Sequence, residues 1–193
     1  MNPDHEPPPS SQPARRERPK SVFFVVNPIA GRRRHRRIVA AFRERVLATV
    51  DRVEYIETRG AGDAREAARR AGLEPADAII VAGGDGTVRE AAEGSAGSGI
   101  PVLIAPCGTE NVLAKYLGIR LNEDSLWDTL ETGRAVPMDI AECGERSFIF
   151  VAGVGFDAEV IRRLSLIRRG HISYLTYVRP LLGAYLGYHS PLI

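Results

Sequence analysis

The chain is predicted to be an α/β protein, a doubly wound parallel sheet over residues 21–134 followed by an incomplete antiparallel β-sandwich over residues 135–193. Three observations lead to this. Short strand-like segments at Ser21 to Val26, Val53 to Glu57, Ala78 to Ala82 and Pro101 to Ala105 each end in a turn that opens a helix-like stretch. Four such alternations require crossover helices and therefore parallel strands. Beyond Ala135 the alternation stops: Val136 to Glu142 and Arg146 to Gly153 read as two strands joined by Cys143-Gly144-Glu145, a turn too short for a parallel crossover.

The first twenty residues hold six of the 13 prolines and few large apolar side chains, and are expected to be a disordered tail. With 44 % hydrophobic residues and a net charge of +2, the composition is globular and gives no reason to expect a nucleic-acid partner. Two cysteines exclude a disulfide framework and fit a reducing compartment. Neither a secretory leader nor an apolar run of about 18 residues is present, so the expected place is the cytoplasm, with peripheral membrane contact left open. Charge is local, however: Arg32, Arg33, Arg34, Arg36, Arg37, Arg43 and Arg45 crowd one segment that contains a single acid, Glu44. A solvated helix face is the plain reading, and contact with phosphate or an anionic bilayer the functional one.

Each element has its own local reasons. After the first strand, Asn27-Pro28 and Gly31 make a turn, and Ile38, Phe42 and Val46 at i, i+4, i+8 predict an amphipathic helix over Arg32 to Ala48. Asp63 and Glu66 have capping-box spacing for a second helix ending near Gly72. The third strand runs into Gly83-Gly84-Asp85-Gly86-Thr87, where Thr87 and Glu90 again have capping-box spacing. Gly94 to Gly99 reads as a small-residue loop, and Pro106-Cys107-Gly108-Thr109 repeats the design of strand, glycine turn and hydroxyl cap before a helix through Leu117. A helix over Glu123 to Thr132 turns Leu126, Trp127 and Leu130 inward. Further helices are expected over Asp157 to Leu164 and Tyr174 to Tyr188, with Arg168 to His171 a basic turn between them. The stripe of Tyr174, Tyr177, Leu181, Leu182 and Tyr185 reads first as packing, and secondly as the border of a lipid-access surface beside Arg162, Arg163, Arg168 and Arg169.

In a doubly wound sheet, ligands collect at the carboxyl ends of the strands. Asn27, Thr58, Asp85 and Thr109 all fall there. The glycines at 83 and 84 let backbone approach a ligand, and the following helix start favours an anion, yet Asp85 brings a negative charge to the same point. Phosphate and carboxylate coexist there if a divalent cation lies between them, or if the carboxylate acts on an acceptor proton. Bland readings stand beside these: Thr87 and Glu90 as a helix cap, Thr58 and Thr109 as strand ends or caps, Cys107 as a small buried residue rather than a low-pKa thiol. The four histidines have no metal-ligand spacing.

Four segments carry a resemblance: Asn27-Pro28-Ile29-Ala30-Gly31, Gly83 to Val88 with Glu90, Pro106-Cys107-Gly108-Thr109-Glu110-Asn111, and Gly155-Phe156-Asp157-Ala158-Glu159-Val160. Together, over about Val22 to Pro180, they resemble the diacylglycerol kinase catalytic-domain family, and within it the bacterial lipid kinases of diacylglycerol and sphingosine type. The sheet domain is then Rossmann-like. The resemblance implies Mg²⁺-requiring transfer of the γ-phosphoryl group of ATP to a diacylglycerol-like lipid hydroxyl at a membrane surface, in phospholipid biosynthesis. It implies that Gly83, Gly84, Asp85, Gly86, Thr87, Glu90 and Gly108 line the nucleotide, that Thr58 and Thr109 donate hydroxyl hydrogen bonds to it, and that Asn27 and Asn111 shape its end of the cleft. Asp85 is the catalytic candidate; metal ligands and oligomeric state are left unassigned. Gly-Gly-Asp-Gly-Thr by itself is shared with NAD kinases, which makes NAD phosphorylation the alternative. The chain has Phe150 where the family often has Asn, Cys107 where a small or apolar residue is commoner, and it ends before the family's Asp-Gly-Glu motif. A C-terminally truncated chain, and with it a nucleotide-binding but inactive fragment, is the remaining expectation.

Overall fold

The computed structural model describes residues 18–144, 146–167 and 178–187. Four strands, β1 (Ser21–Val26), β2 (Arg52–Glu57), β3 (Ala78–Gly83) and β4 (Val102–Pro106), form one parallel sheet in the order β2-β1-β3-β4. The order reverses direction at β1 and β3, so the strand ends there form the switch point of the sheet. Two antiparallel strands, β5 (Ala141–Cys143) and β6 (Arg146–Phe148), make a separate small ladder.

Alternation along the strands decides the layers. Phe24, Ile80, Leu103 and their neighbours face α1 (Arg33–Thr49) and α5 (Glu123–Thr132), meeting Val39, Phe42, Val46, Leu126 and Trp127. Phe23, Val25, Ile79, Val81 and Ile104 face the other way, onto α2 (Asp63–Ala71), α3 (Asp85–Ser95) and α4 (Val112–Tyr116). Covering both faces explains why β1, β3 and β4 are almost continuously apolar, while the edge strand β2 carries Arg52, Glu54 and Glu57.

Several local expectations are corrected. The buried position of the α1 stripe is Val39, with Ile38 only half-buried, because the sheet lies between the two side-chain directions. Neither capping box forms. The N-cap of α2 is Gly62 in the left-handed region (φ 92°), and Asp63 instead accepts the amides of Arg59 and Gly60 at 2.6 and 3.0 Å. Helix α3 starts at Asp85 rather than Thr87, and Glu90 accepts the Gly62 amide at 2.9 Å, tying the β2–α2 loop to α3. Thr109 does not cap α4, whose N-cap is Asn111 at φ 50°. Gly94 lies inside α3, not in a loop. The antiparallel strands are three residues each, shorter than expected, with Gly144 at φ 60° in their turn.

At the amino end, Arg18 and Lys20 are ordered against the body: Arg18 pairs with Glu131 and lies 5.5 Å from the Trp127 ring centroid. The rest of the expected tail, the turn residue Glu145, and Arg168, Arg169, His171, Tyr174 and Tyr177 lie outside the described residues.

Helix α6 (Phe156–Ile167) is stiffened by Glu159, bound to Arg162 at 2.6 Å and Arg163 at 2.7 Å. The hydrogen bonds of Arg162, then of Arg163, hold its carboxyl at about 2, below the ordinary 4.5. A folded-state value below the unfolded one contributes stability above pH 4.5 that is lost as pH falls towards 2. Acid titration by far-UV circular dichroism is therefore expected to separate wild type from Glu159→Gln above that window, and the two curves should merge at its acid end.

Candidate functional site

The carboxyl rim of the sheet is assembled by register. Val26 pairs with Glu57 on one side and Ala82 on the other, and Gly83 pairs with Pro106. The ladder continues one step further, with Thr58 N–H donating to Val26 O, Asn27 N–H to Ala82 O and Cys107 N–H to Gly83 O, each at 2.8 Å. Thr58, Asn27, the Gly83–Gly84 turn and the Cys107–Gly108 turn thus stand side by side, although 49 residues separate Thr58 from Cys107 in the chain.

Two glycine turns touch. A Cβ on Gly108 would lie 2.6 Å from Gly84 Cα, and one on Gly83 would lie 2.6 Å from Thr87 Cβ. These contacts explain two glycines by packing alone. Asn111 closes the second turn, its Oδ1 accepting the Gly108 amide at 2.7 Å and its Nδ2 donating to the Gly108 carbonyl at 2.9 Å. Asn27 joins the first, donating from Nδ2 to Thr87 Oγ1 at 3.2 Å while its Oδ1 accepts the Ile29 amide at 3.2 Å. Both asparagines brace loops.

Gly86 differs. It lies in the first turn of α3 at an ordinary helical position, and nothing lies within 4 Å of its missing Cβ. Alanine there would gain about 1 kcal/mol of helix stability, so folding gives no reason for glycine. The open space adjoins the uncapped start of α3, since Gly84 supplies no side-chain cap. Asp85 is exposed, and among the described residues its carboxylate has no hydrogen-bond or ion-pair partner. Thr58, by contrast, is 8 % exposed.

The rim is cationic on the α1 side. Arg32, Arg33, Arg34, Arg36 and Arg37 are exposed around the first turns of α1, which hold no acid. Arg43 and Arg45 are otherwise engaged, 5.1 Å from the Tyr55 ring and 4.7 Å from the Trp127 ring, and Arg45 also bonds Asp124 at 2.9 Å. Cys107 is buried and burial alone pushes its thiol up to about 11, so the small-residue reading holds.

Among the described residues no group of three or more His, Cys, Asp or Glu is arranged to hold a metal. A hard cation at the rim would have Asp85 as its carboxylate and oxygens of a bound phosphate for the rest, a donor set suited to Mg²⁺. A cavity of about 1440 Å³ lies elsewhere, on the free flank of β4, walled by Val102, Ile104, Leu117, Val136 and Met138. It includes none of the rim residues, and charged side chains, among them Arg18, Lys20, Arg120 and Glu131, line it beside the apolar ones.

Glu93 escaped the sequence reading. It is bound by Arg65 at 2.9 and 2.5 Å, by Arg89 and by the Ser147 hydroxyl, joining α2, α3 and β6. Burial raises its pKa, but these partners outweigh it and hold the carboxyl below its usual range. The available signal was the i, i+4 spacing of Arg89 and Glu93, which does not foretell the two tertiary partners.

The matching family model, described as "Diacylglycerol kinase catalytic domain", covers residues 21–143. A diacylglycerol kinase of Bacillus subtilis (strain 168) is 37 % identical over 140 residues, 70 % of this chain and 46 % of the relative. A diacylglycerol kinase of Mycobacterium tuberculosis (strain ATCC 25618 / H37Rv) is 32 % identical over 166 residues, 81 % of this chain and 53 % of the relative. Among solved structures, a diacylglycerol kinase from Bacillus anthracis str. Sterne superposes with a TM-score of 0.60 at 26 % identity, over 69 % of this chain and 51 % of that one. The chain thus spans about half the length of the curated relatives it matches.

Proposed function

Because the chain belongs to the diacylglycerol kinase catalytic-domain family, we propose that it carries the nucleotide half of a lipid kinase, which transfers the γ-phosphoryl group of ATP to a diacylglycerol-like hydroxyl. The observation that carries this is the combination at the start of α3: an unpartnered, exposed Asp85 beside a Gly86 that folding does not require. In this reading residues 21–134 bind nucleotide and residues 135–193 belong to the lipid-side domain. The first amides of α3 point at the triphosphate, the arginines of α1 add positive potential, and the Gly84–Gly108 contact holds the two turns in one wall. Thr58 and Thr109 supply hydroxyl donors, and Glu90 keeps the loop after Thr58 in place through the Gly62 amide. Mg²⁺, when bound, neutralises phosphate charge. Asp85 would hold it, and positioning and charge neutralisation are what phosphoryl transfer chiefly needs.

The test incubates the protein with γ-labelled ATP, Mg²⁺ and mixed micelles of diacylglycerol, with NAD in a parallel reaction. Label in phosphatidic acid supports the reading. Label in NADP, or no label in lipid together with no nucleotide-dependent rise in thermal midpoint, overturns it. Gly86→Ala gives a sharper expectation. The variant should melt at or slightly above the wild-type temperature, since the site is empty and alanine favours the helix. Its ATP affinity, by isothermal titration calorimetry, should fall on the order of tenfold, because the new methyl occupies the space where phosphate must approach.

A further inference from the structure

Three charged residues follow one another along a face of α3. Asp85, Arg89 and Glu93 recur at i, i+4 and i+8, so Arg89 stands about one turn from each carboxylate. In an isolated helix an acid four residues before a base makes the better pair, which favours Asp85 over Glu93 as the partner of Arg89. The structure shows the opposite choice. Arg89 Nη1 donates to Glu93 Oε1, while Asp85 is exposed and has no partner among the described residues.

Tertiary packing accounts for this. The Glu93 side chain is 10 % exposed, and Arg65 on α2 fixes its Oε2 from Nε at 2.9 Å and from Nη2 at 2.5 Å. Ser147 of β6 donates its hydroxyl to the same Oε1 that takes Arg89, which brings the antiparallel ladder into the arrangement. A carboxylate so enclosed is screened less by water than one in open solvent, and it holds a guanidinium more firmly. Without Glu93, the acid left within reach of Arg89 along its own helix is Asp85. An arginine there would cancel the negative charge of Asp85 and fill the space a cation needs. Being protonated at every working pH, it would not step aside by losing its proton.

We propose that Glu93 is a positioning residue that holds Arg89 off Asp85, keeping the Asp85 carboxylate open to a divalent cation and its nucleotide. The use made of that carboxylate rests on the lipid-kinase reading. The competition of the two acids for Arg89 does not.

The choice of partner is read first in the nucleotide-free protein, from the Nε–Hε signal of Arg89 in proton–nitrogen correlation spectra, identified by its loss in Arg89→Gln. Asp85→Asn should leave this signal in place in the otherwise wild-type protein and move it in a Glu93→Gln background. The second readout is the Kd for ADP with Mg²⁺ by isothermal titration calorimetry, without lipid. Glu93→Gln should weaken it about threefold, because Asp85 is then open only part of the time. Replacing Mg²⁺ with EDTA should abolish that difference. The double variant Arg89→Gln with Glu93→Gln, whose net charge equals that of wild type, should bind as wild type does. A Glu93 that served only to hold α2, α3 and β6 together predicts the reverse, since removing a further partner would restore nothing. Glu93→Asp, which keeps the charge but withdraws it by one methylene, should move the Arg89 signal the same way by less, and replaces Glu93→Gln if circular dichroism shows that variant unfolded. An Arg89 signal indifferent to Asp85→Asn in the Glu93 variant overturns the proposal, as does a double variant that binds no better than the Glu93 variant alone. Failure of every form to bind ADP with Mg²⁺, with the Arg89 signal responding as expected, would leave the hold of Glu93 on Arg89 standing and remove the kinase reading.

Discussion

Asp85→Asn is expected to lower transfer of label from ATP to diacylglycerol by at least about a hundredfold, while leaving the protein folded. The reason lies in what surrounds the carboxylate. Asp85 is exposed, has no partner among the described residues, and sits at the first position of α3. Its structural worth is then limited to the helix dipole, about 1 kcal/mol at most. A melting shift of a few degrees is the most that asparagine should cause. Any large loss of activity must come from the charge itself, through a bound cation or an acceptor proton. Thermal shift separates the two. If Asp85 holds Mg²⁺, the stabilisation by ATP with Mg²⁺ should drop to that by ATP with EDTA in the variant. If it acts on the acceptor proton, nucleotide stabilisation should persist and only transfer should fail. Full transfer activity in the variant would remove Asp85 from the site.

Gly94→Ala should produce the largest loss of stability, on the order of 2–3 kcal/mol, seen as a fall of about 5–10 °C in melting temperature. A Cβ at this position would lie 2.1 Å from the carbonyl oxygen of Arg65 and 3.0 Å from Ala68 Cβ. The first neighbour is backbone of α2 and cannot step aside as a flexible side chain could. Helices α2 and α3 approach closely because α2 offers Ala64, Ala67, Ala68 and Ala71, all buried, to its neighbours. The helix-propensity gain of about 1 kcal/mol from replacing glycine is smaller than the cost of parting the helices. Because α3 starts at the Asp85 turn, parting them should also weaken ATP binding. Gly86→Ala is the control, being the same substitution in the same helix with empty space around it. Equal melting temperatures for the two variants would refute the close-packing argument.

The strands were readable because a buried parallel strand is a continuous apolar run, and Phe23, Phe24, Ile79 and Ile80 are such runs. Helix α5 was readable from the spacing of Leu126, Trp127 and Leu130, and its start is fixed by Asn122, which accepts the Ser125 amide. Capping-box spacing failed where a tertiary partner competed. Glu90 could have reached back to its own helix, but the Gly62 amide of another loop lay nearer at hand. Thr87 is held by Asn27, 60 residues away. Of the stripe expected after Tyr174, Leu181, Leu182 and Tyr185 are exposed, because spacing reports that a face is apolar, not what it faces; Tyr174 and Tyr177 lie outside the described residues.

By itself the sequence determined the parallel sheet, the chain order of its elements, and the residues that fall at strand ends. These follow from local periodicity and from glycine turns, which act over a few residues. Only the tertiary structure decided that Gly84 and Gly108 touch, that Gly86 stands in open space while Gly94 does not, and that Glu93 joins three elements. Such facts depend on how close two backbones come, a distance set by packing between elements far apart in the chain. Glycine looks alike at every position in a sequence, and the space around its missing Cβ exists only once the neighbours have arrived.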